Sequence, residues 1–404
     1  MFVRKLFQRN QKVGTAYMFF TKTNGIGGRI RQRIEDFEVE EIPKSMAQQL
    51  LTNSPDNEYT VFWLEKFNWD TNAAIIALAR ALHVSKTRFG MAGTKDKRAV
   101  TRQQISAWKV PAEELKRINI KGLRLYGYKT SNKRLTLGDL AGNRFIVTIR
   151  DISLPKDEVE KRIDNINNEL KKGIPNIFGP QRFGDVRPIT AEVGRAILKC
   201  NLEIAVKLYL TRVFDKEPED VRNVRQYLAS HWKDKKARVE ALKIFPRRLK
   251  WERSILGYLI QYPNDYGGAL RRLPKRLRKM FINAVQAEIW NNAVKELLAK
   301  GIKRATLPLV GYDTVLDNDI KMIFEAELDK MGITQESFKV PCMPELATTG
   351  SERAMMLQVN DLKILEITDD ELNPGKLKVK ISFSLPAGSY ASIVLKEIMK
   401  SELP

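Results

Sequence analysis

Residues 89–103 read FGMAGTKDKRAVTRQ, a glycine-bearing turn in which a single carboxylate, Asp96, stands among basic side chains. The basic neighbours are Lys95, Lys97, Arg98 and Arg102. Nearby positive charge favours the ionised form of a carboxyl group. A carboxylate is an unusual choice for a surface that only binds phosphate, because it repels the ligand that the cations attract. The pattern suits a carboxylate that attacks or deprotonates a group carried on a nucleic acid. The alternative is that Asp96 is an ordinary turn or cap residue.

The charge of the whole chain agrees with a polyanionic partner. Its 404 residues include 70 Lys and Arg against 48 Asp and Glu, which gives a formal net charge of +22. A field of that size favours nucleic acids or anionic surfaces as partners and carries no information about the fold. A generally basic, solvated surface is the alternative interpretation. The length suffices for a large core and predicts two domains.

The few cysteines and histidines argue against several classes of site. Cys200 and Cys342 are far apart and lack CxxC spacing, so the sequence predicts neither a zinc site nor a disulfide framework. Two histidines are too few to favour a Ser-His-Asp or Cys-His centre or a His-ligated metal. The longest apolar run, residues 73–84, is broken by charge and too short to span a bilayer. Because residues 1–8 show no signal-peptide pattern, we expect a cytoplasmic protein without membrane contacts. We also expect a monomer.

The first 150 residues show the patterns of a mixed α+β region. Charged and apolar residues alternate towards residue 42, which predicts a half-buried strand. The β-branched and aromatic run 59–66 predicts a second strand, and Asp70 is placed to cap a helix over about residues 72–82. Further strands are predicted over residues 101–108, 123–128 and 143–150. Pro155 then begins a helix with an apolar stripe at Val159, Ile163, Ile166 and Leu170.

From about residue 185 to residue 350 the pattern becomes mostly helical. Helices are predicted over residues 191–214, 218–232, 252–262 and 275–300. The strand pattern returns at residues 353–359 and 375–385, and a last helix is predicted over residues 390–399. Strand-rich ends around a helical middle predict one domain formed by residues 1–184 and 351–404. An inserted helical domain, residues 185–350, interrupts it.

The helical middle contains the densest basic segments of the chain. Residues 232–253 hold nine Lys and Arg against three Asp and Glu, and residues 270–279 hold six cations and no acid. Aromatic residues interleave with the first run, which suits stacking and phosphate contact with RNA. The alternative is that the cations lie on solvated helix faces and the rings lie in the core. The cations of the second run that we expect to contact RNA are Arg271, Arg272, Lys275 and Arg276.

Five short segments carry unusual combinations of glycine, aromatic and charged residues. They are EDFEVEE (residues 35–41), GTKDKRAVTRQ (93–103), GNRF (142–145), NIFGPQRFG (176–184) and LPAGSYAS (385–392). In this order they resemble the motifs of the TruD family of pseudouridine synthases. The resemblance covers nearly the whole chain, although the helical middle is similar to the family's inserted domain only in placement and basicity.

The resemblance implies a fold and an activity. The implied fold class is α+β, the pseudouridine synthase fold: a mixed, largely antiparallel sheet flanked by helices, plus an inserted, mostly helical domain that helps to hold tRNA. The implied activity is the isomerisation of uridine to pseudouridine in tRNA, usually at position 13, without a cofactor or a metal. The competing hypothesis is a non-catalytic RNA-binding or ribosome-assembly protein that keeps this fold.

The resemblance also assigns residues to the site. The catalytic aspartate falls on Asp96, and the active-site cation, a lysine in bacterial members, falls on Arg31. Arginine keeps the charge but is planar and bidentate, whereas lysine is a point donor. The aromatic residue that lies against the target base falls on Phe145, with Asn143 and Phe37 in support, although Phe145 also suits the core of a sheet. The cations expected to contact RNA near the motifs are Lys95, Lys97, Arg98 and Arg182.

Overall fold

The structure is a computed structural model that describes residues 19–49, 51–184 and 186–401. Residues 1–8, where we expect no signal peptide, lie outside the described residues. The described chain forms two compact units. The sheet unit comprises the described residues up to Ile174 and those from Leu357 onward, and the helical unit is Pro175–Met356.

The chain passes between the two units at residues 174/175 and 356/357. The sequence prediction placed the corresponding boundaries at 184/185 and 350/351. Within the described residues, no helix combines the length and the apolar character needed to cross a membrane.

The strands include those predicted for the first 150 residues, in most cases with longer bounds. In chain order they are β1 (Phe37–Pro43), β2 (Tyr59–Phe67), β3 (Phe89–Met91), β4 (Val100–Trp108), β5 (Leu123–Ser131), β6 (Leu140–Ile152), β7 (Ile174–Pro175), β8 (Thr306–Leu309), β9 (Ser351–Ala354), β10 (Met356–Leu357), β11 (Asn360–Asp369) and β12 (Leu377–Pro386).

One sheet organises the sheet unit. Its strands lie in the order β11-β12-β6-β1-β4-β2-β5. The first residues of β4 pair with β1, and the last residues of β4 pair with β3. Only β1 and β4 run parallel among these neighbours, and the remaining pairs are antiparallel. The sheet of the described chain is therefore mixed and largely antiparallel, which confirms the predicted fold class.

The α-helices flank this sheet or build the helical unit. In chain order they are α1 (Ser45–Gln49), α2 (Thr71–Ala81), α3 (Ala112–Lys116), α4 (Lys156–Leu170), α5 (Thr190–Leu198), α6 (Leu202–Thr211), α7 (Glu219–Ser230), α8 (Lys235–Ile244), α9 (Lys250–Gln261), α10 (Tyr266–Arg271), α11 (Lys275–Ala299), α12 (Asn318–Met331) and α13 (Ala391–Met399).

Local sequence signals explain how the helices of the sheet unit begin and pack. The Asp70 side chain accepts a hydrogen bond from the backbone N–H of Ala73 and so caps α2, as predicted. Leu78 of α2 is fully buried in one core with Phe62 of β2 and Ile105 of β4. The predicted stripe of α4 is also buried, at Val159, Ile163, Ile166 and Leu170.

Several features differ from the sequence prediction, which also missed β3, β8, β11 and the short helices α1, α3 and α10. The helix expected over residues 191–214 is two helices, because Cys200 adopts a left-handed backbone with φ of 54° and ends the first one. The strand expected over residues 353–359 is divided between β9 and β10. The prediction also missed α8 and α12, whose charged residues are frequent enough to weaken the apolar stripe.

Candidate active site

Asp96 lies on the loop between β3 and β4 and is paired with Arg31. The distance from Arg31 Nη2 to Asp96 Oδ2 is 2.7 Å. The Asp96 side chain is 43% exposed, whereas that of Arg31 is 20% exposed. The carboxylate is thus held by a cation on one side and still open to a substrate.

Arg31 is fixed in place by contacts on several sides. Its backbone is left-handed, with φ of 59°, a conformation that costs an L-residue free energy unless its surroundings impose it. Its guanidinium carbon lies 4.1 Å from the centre of the Phe37 ring. Arg98 Nη2 donates a hydrogen bond of 2.7 Å to the Arg31 carbonyl. These contacts aim the guanidinium at Asp96.

Phe145 occupies the centre of an aromatic cluster on the sheet. In register it lies opposite Val39 of β1 and Phe383 of β12. Its ring is stacked on Phe383 with centroids 5.4 Å apart, and it packs edge-to-face with the Phe37 ring, with centroids 6.2 Å apart. Phe145 is 7% exposed, so its ring belongs to the core. It also packs against Phe37, whose ring lies under the Arg31 guanidinium.

Asn143 lies two residues before Phe145 on β6 and so faces the same side of the sheet. It pairs in register with Glu41 of β1 and with Leu385 of β12. Gly142 allows this close approach, since a Cβ there would lie 2.3 Å from the Leu385 carbonyl oxygen. The Oδ1 atom of Asn143 is buried and has no hydrogen-bond partner within the described residues.

Lys66 lies beneath the Asp96 loop and is fully buried. Its Nζ donates hydrogen bonds of 2.7 Å to the carbonyls of Asp96 and Trp69, and a longer one of 3.4 Å to that of Lys95. Burial lowers the pKa of Lys66 to about 8, against the opposing effects of Asp96 and Asp70. The amine therefore anchors the backbone of the loop at the residue that carries the carboxylate.

Lys95 is the point at which the structure corrects the sequence prediction. We expected an RNA contact, but its Nζ lies 2.6 Å from Glu41 Oε2, and the two side chains are 4% and 1% exposed. Its backbone N–H donates to Thr71 Oγ1 at 3.0 Å. A cation buried against a carboxylate is not available to a phosphate, so Lys95 supports the loop from inside.

The next two cations of the loop point outward. Lys97 and Arg98 are both exposed, although Arg98 also contacts the Arg31 carbonyl. Arg102 lies on β4 and pairs with Glu65 at 2.6 Å and Glu38 at 3.2 Å, so its charge is largely compensated. The four cations of the motif therefore divide into two exposed residues, Lys97 and Arg98, and two that are ion-paired within the protein, Lys95 and Arg102.

The helical unit carries its own exposed cations. The four residues named for RNA contact, Arg271, Arg272, Lys275 and Arg276, are all exposed at the end of α10 and the start of α11. Arg271 also pairs with Glu345 at 3.0 Å. In the same unit, the guanidinium carbon of Arg182 lies 5.1 Å from the centre of the Phe178 ring.

The aromatic residues of the first basic run are mostly structural. Trp232 is buried, its Nε1 donates to Glu203 at 2.9 Å, and Arg238 packs against its ring. Phe245 is also buried. For these two rings the structure favours the alternative that placed them in the core.

Comparisons with known proteins identify the family. The family model of tRNA pseudouridine synthase D (TruD) matches residues 12–306 and 300–398. The chain belongs to the TruD family. A relative from Methanococcoides burtonii, named "Probable tRNA pseudouridine synthase D", is 37% identical over 95% of this chain and 96% of its own. A relative of the same name from Methanopyrus kandleri is 36% identical over 85% of this chain and 86% of its own.

A solved structure agrees with this assignment. The crystal structure of a protein from Methanosarcina mazei that carries the name TruD is similar to this chain with a TM-score of 0.77. The two are 35% identical, and the match covers 96% of each chain. The TruD family is one of tRNA pseudouridine synthases, which are isomerases, so the family assignment favours an enzyme over a non-catalytic RNA-binding protein.

Two residues of this TruD site were missed by sequence reasoning, Lys66 and Glu41. Both occupy inward positions of strands in which alternate residues are buried: Phe62, Leu64 and Lys66 on β2, and Val39 and Glu41 on β1. A charged residue at an inward position of an apolar alternation must find a partner, because an unpaired buried charge is costly. That break in the pattern is the signal that identifies them.

Proposed function

We propose that this chain isomerises uridine to pseudouridine in tRNA, with Asp96 as the reacting carboxylate and the uridine at position 13 as its target. The family assignment supports the reaction. The observation that carries the role of Asp96 is its 2.7 Å contact with Arg31, whose guanidinium covers the Phe37 ring. The target position is supported by the family resemblance of the motifs.

The reaction imposes its own requirements on the site. The bond between ribose C1′ and uracil N1 breaks, the freed base turns, and a new bond forms from C1′ to C5. The hydrogen of C5 then leaves as a proton, and N1 gains a proton, so the product is an isomer of the substrate. The base must first leave its stack, because its reacting atoms are unreachable inside a stacked structure. A detached uracil must then be retained while it turns, which requires an apolar, water-poor surface with few polar anchors.

The residues around Asp96 meet these requirements. Arg31 neutralises and aims the carboxylate through a charge-assisted hydrogen bond. We assign the apolar contact with the base to Phe37, which lies under the Arg31 guanidinium, and to Phe145, which packs on Phe37. Phe383 supports Phe145 from the core. Asn143 supplies a polar anchor, because its buried Oδ1 has no partner among the described residues and suits the imide N–H of uracil.

Three routes use a carboxylate at this point. Asp96 attacks the sugar at C1′, attacks the base, or removes a proton on the way to a glycal. In each route the carboxylate acts as an anion, so the same substitution tests all three.

The exposed cations supply the contacts to the RNA backbone. Lys97 and Arg98 lie next to Asp96 on the outer side of its loop, and the inserted domain, residues 185–350, contributes Arg271 and its basic neighbours. Arg182, on the segment that leads into that domain, is assigned the same role. We further propose a cytoplasmic monomer, and light scattering of the purified chain tests the monomer.

The replacement Asp96→Asn tests the assignment, because it keeps the shape of the side chain and removes its charge. Tritium release from tRNA that contains [5-³H]uridine measures the reaction. We expect the variant to release none above background while its Kd for tRNA stays within a few-fold of wild type. Asp56→Asn, at an exposed carboxylate of the same unit, is the matched control and keeps full activity.

Two results would contradict the proposal. Tritium release by Asp96→Asn at the wild-type rate refutes the role of Asp96. Failure of the wild-type chain to release tritium from any tRNA that it binds supports the non-catalytic RNA-binding protein instead.

A further inference from the structure

The two cysteines of the chain meet in the helical unit, although 142 residues separate Cys200 from Cys342. The Cys342 Sγ atom donates a hydrogen bond of 3.5 Å to the carbonyl of Ile197. The backbone N–H of Cys200 donates to that same carbonyl at 2.9 Å. The two cysteines therefore meet at the Ile197 carbonyl.

The chain reverses its direction at Cys200. This residue follows the last turn of α5 in the left-handed conformation, with φ of 54°. The N–H of Asn201 bonds to the carbonyl of Ala196, which closes the helix with the reversal that glycine usually provides. Cys342 lies in the loop that precedes Glu345.

The environments of the two thiols differ in a way that sets the order of their reactions. Cys200 is exposed, whereas Cys342 is half-buried. Burial and the neighbouring Cys200 raise the pKa of the Cys342 thiol to about 12, and the Arg271 charge opposes this effect. An external reagent therefore reaches Cys200 first.

We propose that Cys200 and Cys342 are the site of an intrachain disulfide that cross-links the helical unit when a low-molecular-weight disulfide acts as the oxidant. The Cys200 thiolate attacks one sulfur of the oxidant, whose S–S bond breaks and releases one thiol. Cys342 then loses its proton and attacks Cys200 Sγ, which forms the new S–S bond and expels the second thiol. The two cysteines lose two electrons and two protons, and the oxidant gains both as two thiols.

The cross-link ties the turn between α5 and α6 to the loop of Cys342. Glu345 of that loop is the partner of Arg271, at 3.0 Å, so the covalent bond also secures a loop that holds one of the exposed cations. A disulfide stabilises a fold in proportion to the logarithm of the chain length that it closes, and 142 residues make a long loop. We therefore expect the oxidised unit to unfold at a higher temperature.

The experiment treats the full-length reduced chain with an excess of oxidised glutathione. We expect both thiols to disappear from a thiol titration, the intact mass to fall by two hydrogen atoms, and a peptide map to show Cys200 joined to Cys342. The Tm of the oxidised chain should rise in calorimetry and return after reduction. Cys200→Ser and Cys342→Ser are the matched controls, since neither can form the bond or gain the Tm shift.

The opposite results are equally clear. Glutathione retained on Cys200 beside a free Cys342 thiol overturns the proposal, and so do dimers linked through Cys200. Two thiols that survive the oxidant also overturn it. A disulfide that forms without a change in Tm refutes the stabilising role.

Discussion

Replacing Lys95 by methionine isolates the contribution of the buried ion pair that supports the Asp96 loop. Methionine keeps the length and apolar stem of lysine but removes the ammonium group that lies 2.6 Å from Glu41. The Glu41 carboxylate, 1% exposed in the native chain, then keeps one hydrogen-bond donor among the described residues, the backbone N–H of Gln104 at 3.3 Å.

The size of the effect follows from this burial. Removing one partner of a buried pair leaves an uncompensated charge, which costs about 3–5 kcal/mol of unfolding free energy. A second substitution, Glu41→Gln, removes that charge while its amide oxygen still accepts from Gln104. The buried amide N–H2 of the double variant lacks the partner that Lys95 took with it, at a cost of about 1–3 kcal/mol, so we expect the double variant to be less stable than wild type but more stable than Lys95→Met.

Hydrogen exchange of peptides from β1 and β4 measures the result within the sheet unit. This readout suits a chain of two units, whose global unfolding need not be two-state. Lys97→Met is the matched control, because Lys97 is exposed in the same loop and its loss should change little. The reasoning is refuted if Lys95→Met is as stable as Lys97→Met, or if the double variant is no more stable than Lys95→Met.

Three further predictions concern the amine below the loop, the cation beside Asp96 and the helical unit. The pKa of Lys66 is about 8, against 10.5 for an ordinary lysine, so the native state holds fewer protons than the unfolded state between these values. Because the buried amine loses its proton as pH rises through that window, the cost of burying its charge disappears. The unfolding free energy of wild type, relative to that of Lys66→Met, should therefore rise by up to about 3 kcal/mol between pH 7 and pH 10.5, which urea titrations measure. Arg31→Lys keeps a charge near Asp96 but loses the planar contact with Phe37, so its single-turnover rate of tritium release should fall about tenfold below that of wild type. Arg31→Ala loses the charge as well, so its rate should fall further. Equal rates for the two variants would contradict the orienting role. Alanine at the four exposed cations of the helical unit should reduce the slope of log Kd against log salt by about 3, because each phosphate contact contributes about 0.9 and one cation is shared with Glu345. Filter binding at several salt concentrations measures this slope, and an unchanged slope removes the segment from the interface. The substituted cations are Arg271, Arg272, Lys275 and Arg276.

Most strands of the sheet, though not β3 or β11, and the amphipathic helix α4 were predictable because their periodicities are strong. The alternation around residues 37–43 and the stripe that begins at Val159 place apolar residues where the sheet and helix bury them. The pairing of Asp96 with Arg31 was predicted from the family resemblance, because 65 residues of chain separate them and no local pattern links them.

The features that the sequence did not predict depend on which side chains the tertiary fold buries, and residue type alone does not show this. Lys95 and Lys97 are the same residue two positions apart, yet one faces Glu41 and the other faces solvent. The break between α5 and α6 was missed because a left-handed cysteine carries no turn signature, unlike glycine or asparagine. The meeting of Cys200 with Cys342 is a property of the tertiary fold, which spacing along the chain does not encode.

Lys66 donates a hydrogen bond to the Asp96 carbonyl, so substitutions on the outside of the loop and substitutions beneath it have different effects on Asp96. The backbone at Asp96 is held from β2, so its placement does not depend on the Lys97 side chain in the same loop. Lys97 can therefore be exchanged during divergence with little displacement of the carboxylate, whereas Arg98 also holds the Arg31 carbonyl. Substitutions at Lys97 thus offer a route to new RNA contacts that leaves the position of Asp96 unchanged.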